Sequence, residues 1–117
     1  MSDENSKKEL VYFLEVDVHK KYLKLAKDDH MVAVSHLHDH SAPDARSNNE
    51  LLKDLCELVI VLDSFIKLME AVTDYPIKDG EGYILPPQDA LLINFYLPLM
   101  ETYELKVRSY GLSLTIN

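Results

Sequence analysis

Ser47–Tyr75 reads SNNELLKDLCELVIVLDSFIKLMEAVTDY, and this stretch decides the fold. Leu51, Leu55, Leu58, Leu62, Phe65, Met69 and Val72 follow one another in alternating steps of four and three. That spacing draws one continuous stripe along an α-helix, and a strand period of two cannot produce it. Ser47-x-x-Glu50 is a start signal, because each side chain can satisfy a backbone donor at the other end of the first turn. Pro76 is a stop signal, because it disfavours helical geometry in the residue before it. The expected helix covers 48–74 and spans roughly 40 Å at about 1.5 Å per residue.

The stripe also shows how this helix is surrounded. With its residues numbered as heptad a and d, Leu52, Val59 and Ile66 fall at e, and Val61 and Leu68 fall at g. A two-stranded coiled coil keeps those flanks charged. Here they are apolar, so several neighbours must pack around the helix. Ile60 falls at f, opposite the stripe, between Lys53 and Lys67 on the adjacent turns. An apolar residue there calls for cover from residues 31–37 or from a second copy of the chain. The expected assembly is therefore a homodimer, with Cys56 and Ile60 in its interface.

Towards the N-terminus, Ser6-x-x-Glu9 repeats the start signal. Val11, Leu14, Val18, Tyr22 and Leu25 continue at helical spacing, so a first helix is expected over 7–27. Lys20, Lys24 and Lys27 share a face at its end, where cations suit the dipole. Asp28-Asp29 is read as a break, followed by a short fourth helix over 30–40. Residues 39–46 form a loop marked by Ser41, Pro43 and Asp44. Towards the C-terminus, 76–87 form the longest connector, with a turn signal at Asp79-Gly80. A third helix is expected over 87–110. Pro87 sits in its first turn, Gly111 caps it, Pro98 bends it, and its apolar face is Leu92, Tyr96, Leu99, Tyr103 and Val107. The fold class is all-α: one domain over 1–117, a compact bundle of three to four helices around the central one, with 1–5 disordered. The rival is an α+β fold with short strands at 10–18, 31–37 and 112–116, where apolar residues also alternate.

Composition narrows the function classes. The 117 residues carry a net charge of −8, which disfavours binding to nucleic acid or anionic membrane. Residues 1–27 hold six basic and five acidic groups, so the excess acid lies in the remainder. The single cysteine allows no intrachain disulfide, and no apolar segment resembles a signal peptide or a membrane span. A reducing cytoplasm is the expected compartment.

Chemistry is sparse. His36, His38 and His40 lie in Ser35-His-Leu-His-Asp-His-Ser41. They would share one side of an extended segment, while a helix would pair His36 with His40, a spacing that suits zinc or nickel. The order departs from the His-x-His-x-Asp-His motif of metallo-β-lactamase-type hydrolases, which needs Asp at 40 and His at 41. Carboxylate pairs such as Glu50/Asp54 and Asp54/Glu57 read as a solvated helix face. No nucleophile elbow, phosphate-binding glycine loop or Cys-x-x-Cys is present. The first expectation is a protein that acts by binding another protein, as inhibitors, immunity proteins, antitoxins and chaperone-like adaptors do. The alternatives are a metal-binding protein using the histidine segment, and a helical bundle that holds a small molecule near Pro98.

Overall fold

The computed structural model describes residues 13–41 and 49–114. Those residues form three helices packed as a bundle and one small antiparallel sheet. In chain order they are β1 (Phe13–Glu15), α1 (Val16–His40), α2 (Asn49–Val72), β2 (Ile77–Lys78), β3 (Gly82–Ile84) and α3 (Pro87–Arg108). The start signals at Ser6 and Ser47, residues 7–12 of the first expected helix and the tail beyond 114 lie outside the described residues.

α2 is the centre of the bundle. Its stripe from Leu51 to Val72 is buried throughout, and α1 and α3 both pack on α2 while scarcely touching each other. Leu55, Leu58, Leu62, Phe65 and Met69 are almost wholly excluded from solvent. Each is worth about 1.5–3 kcal/mol of apolar burial. The helix closes through short bonds, Thr73 N to the Glu70 carbonyl at 3.2 Å and Tyr75 N to the Val72 carbonyl at 3.0 Å. Helix ends leave carbonyls without partners inside the helix. Met69 supplies one of these, and the buried ring of His19 donates to it at 2.7 Å.

α1 corrects two expectations. The chain enters it from a three-residue strand, not from a helix begun at residue 7. It then runs unbroken through Asp28-Asp29, so 30–40 is its C-terminal part and not a separate element. Lys24 holds Asp28 at 3.0 Å along the surface, and Asp29 turns inward. Position 29 lies on the inner stripe His19, Ala26, Asp29 and Ala33. These small and polar residues let α1 approach α2 closely. Of the expected apolar face, Leu14 is buried and Val18 and Tyr22 pack against the core, whereas Leu25 is 40% exposed. Lys27 reaches across to Glu70 at 3.3 Å.

The buried residues of α3 are Ala90, Ile93, Met100 and Val107; of its expected face Val107 is buried and Tyr96 and Tyr103 pack against the core, whereas Leu92 is 40% exposed. Leu91, Phe95 and Leu105 stand on the solvent side. With apolar residues on both faces, the sequence carried two competing stripes. Asp54 and Glu57 of α2 are also not simply solvated. Asp54 accepts the Tyr110 hydroxyl at 3.2 Å, and Glu57 accepts that of Tyr103. Both contacts raise the tyrosine pKa; hydrogen bonding leads at Tyr103 and burial at Tyr110.

The connector over 76–87 folds as a hairpin. Asp79 and Gly80, with φ of 54° and 71°, form a tight turn closed by Glu81 N on the Lys78 carbonyl at 2.9 Å, and residues 79–81 link the paired Lys78 and Gly82. Strand order is β1-β3-β2, with Leu14 opposite Tyr83 and Ile77 opposite Tyr83 on the other side. The all-α expectation omitted this sheet. Of the rival strands, only 13–15 exists: 31–37 is helical and 112–114 is not a strand.

Candidate functional site

Because α1 and α3 flank α2 without closing on each other, a cleft of about 350 Å³ runs between them, in the range of ligand pockets. Leu62 and Phe65 of α2 lie at its base. Tyr22, Leu25 and Asp29 line it from α1, and Leu97, Met100, Glu101, Glu104 and Arg108 line it from α3. Phe65 is held edge-on by Tyr22 at 6.4 Å and by Tyr96 at 6.5 Å between ring centroids. A second cleft of about 320 Å³, lined by Phe13, Ile93 and others, shares Tyr22 and Leu97 with the first. The two clefts adjoin at those residues to make a groove whose cluster of acids, Asp29, Glu101 and Glu104, lies at the end away from the sheet, with Glu15 alone at the other.

The acidic end holds a pair that charge patterning alone hides. Asp29 is only 6% exposed, and its Oδ1 has no hydrogen-bond partner. A buried carboxylate oxygen without a partner is costly. Glu104 hydrogen-bonds to the same carboxylate. Burial, then that bond, then the charge of Asp29 push the Glu104 carboxyl up to about 8, with Glu101 adding to the shift and Arg108 opposing it. Two carboxyl groups that share a hydrogen bond cannot both ionise cheaply. Near neutral pH, Glu104 therefore keeps a proton.

Neither residue was singled out from the sequence. In the sequence Asp29 reads as part of a helix break, and Glu104 stands at i,i+4 from Arg108 in the orientation of an ordinary helical ion pair. The signal was present in the inner stripes themselves. Positions 90, 93, 97, 100, 104 and 107 run down one face of α3, and 19, 22, 26, 29 and 33 down one face of α1. An acid stands on each inner face.

The histidine segment is helical, so His38 is turned away from the side that His36 and His40 share. The rings of His36 and His40 lie 6.4 Å apart between centroids. The His36 Nε2–H donates to the Ser113 carbonyl at 2.6 Å, which ties the end of the chain to α1. Among the described residues, no group of three or more His, Cys, Asp or Glu side chains is placed to hold a metal ion. Cys56 and Ile60 are both exposed on the outer side of α2, Ile60 at 64%. No helix of the described residues is long and apolar enough to cross a membrane.

No family model matches the chain, and no curated protein or solved structure is significantly similar to it.

Proposed function

We propose that this protein acts by binding a protein partner with a basic surface, and that the groove between α1 and α3 is the recognition surface. The supporting observation is the groove's composition: apolar side chains along its length, and at one end Asp29, Glu101 and Glu104 against the single cation Arg108. No Ser, Thr, Cys, His or Lys lines this cleft. Acidic surfaces speed encounter with basic partners, and salt weakens that effect as the Debye length falls to about 8 Å at 0.15 M. Partner retained from extract by wild-type protein should be lost with Glu101→Lys, which inverts charge at the groove mouth. Its association rate should fall at least several-fold as salt rises from low to physiological. A rate independent of salt, or full retention by the variant, sinks the proposal.

A second reading concerns self-association. Residues 31–37 belong to α1, and no described residue covers Ile60, so the remaining candidate cover is a second copy. Joined to the exposed Cys56, this patch supports a two-fold dimer. Ile60→Lys should then sediment as a folded monomer, while the wild type sediments as a dimer at tens of micromolar. A monomeric wild type removes the reading.

A further inference from the structure

We propose that the Asp29–Glu104 end of the cleft is a binding site for an organic cation, a primary ammonium carried on an apolar stem. The inference rests on the reading of the groove as a recognition surface and specifies the chemistry recognised there. Two features select the ligand. Asp29 Oδ1 is buried without a partner and the Asp29 carboxylate is bonded by the Glu104 carboxyl, so a ligand that displaces the Glu104 proton must itself be a hydrogen-bond donor. An ammonium offers three donors from one compact charge. Leu25, Leu62, Phe65, Leu97 and Met100 line the cleft, so the group attached to that charge is apolar. A hydrated inorganic ion would leave this lining without a partner.

Binding exchanges a proton for the ligand's charge. Glu104 loses its carboxyl proton to solvent, the ammonium keeps all of its own, and the two carboxylates then share one cation. The charged groups facing Glu104 are Asp29 on α1 and Glu101 and Arg108 on α3; α2 contributes only Leu62 and Phe65 to this cleft. Arg108 moderates the site by lowering the Glu104 pKa, and Glu101 raises it.

Free amine and lysine side chain share this chemistry, and two probes separate them: n-hexylammonium and a short peptide containing lysine between leucines. Titration should show saturable shifts of the Leu25, Leu97 and Met100 methyl signals with at least one probe. Binding of hexylammonium should tighten about ten-fold from pH 7 to pH 9, since Glu104 is about nine-tenths protonated at the first and one-tenth at the second. Calorimetry in buffers of different ionisation enthalpy should register close to one proton released at pH 7. Glu104→Gln should bind at least ten-fold more weakly than wild type at pH 9 and show no pH dependence. Equal binding of n-hexanol, saturation by calcium chloride in place of the amine, or no saturable amine binding at pH 9 overturns the proposal. Amine binding without any protein partner would leave the site standing and remove the partner reading. Partner retention that depends on Glu101, with no amine or peptide binding, would do the reverse.

Discussion

Wild-type protein should lose about 1–2 kcal/mol of stability between pH 5 and pH 9, and Glu104→Gln should lose little of its own. The sign follows from the pKa. Glu104 ionises near 4.5 in the unfolded chain and near 8 in the fold. Between those values the native state holds a proton that the unfolded state has released. The stabilisation is complete below pH 4.5 and is lost as pH rises through about 8. A fully buried group displaced over that interval would carry about 5 kcal/mol at about 1.36 kcal/mol per pH unit. Glu104 is partly exposed, and solvent screening reduces the effect to about 1–2 kcal/mol. A neutral glutamine keeps the side chain's shape without its charge. The variant should therefore match wild type near pH 5, exceed it already at pH 7, and exceed it most at pH 9, by a few degrees in Tm for a domain of this size. Thermal melts at pH 5, 7 and 9 decide the matter. Parallel pH curves for the two proteins would mean that Asp29 and Glu104 are not coupled in the fold.

Gly82→Ala should destabilise the protein by about 2–3 kcal/mol, in the range of overpacking costs. The residue sits in β3, the central strand, and its backbone is of the ordinary extended kind. The reason lies in its surroundings. A Cβ built there would stand 2.6 Å from the Leu14 carbonyl oxygen, 2.7 Å from Cζ of Phe13 and 3.0 Å from Cα of Glu15. The Phe13 ring can swing aside, but the backbone of β1 cannot yield without breaking its ladder to β3. That ladder positions the start of α1, where Val16 N donates to the Glu81 carbonyl at 2.9 Å. Chemical denaturation should report the loss, and amide exchange should rise first at Leu14 and Tyr83. Gly80→Ala is the informative control, because a Cβ there meets nothing within 4 Å. Its cost comes only from the positive φ of 71°, about 1 kcal/mol on the scale of single-residue backbone strain. Equal effects at the two glycines would refute the steric account of Gly82.

The sequence by itself determined α2 and its burial. Seven apolar residues at steps of four and three leave one helical face to bury, and Leu51 to Val72 are buried in that order. It also determined the turn at Asp79-Gly80 and the placement of Pro87 at the start of α3. Tertiary structure decided the faces of α1 and α3. Both helices carry apolar residues on two sides, and the side that packs is the one whose small residues, Ala26, Ala33 and Ala90, allow close approach to α2. Hydrophobicity counts weigh such residues least. The same contact turned Asp29 and Glu104 inward: each lies on the periodic inner face of its helix, and a polar residue there is carried along with the stripe. Their pairing joins positions 75 residues apart on two helices that barely touch. No local pattern encodes that distance; α2, packed between them, sets it.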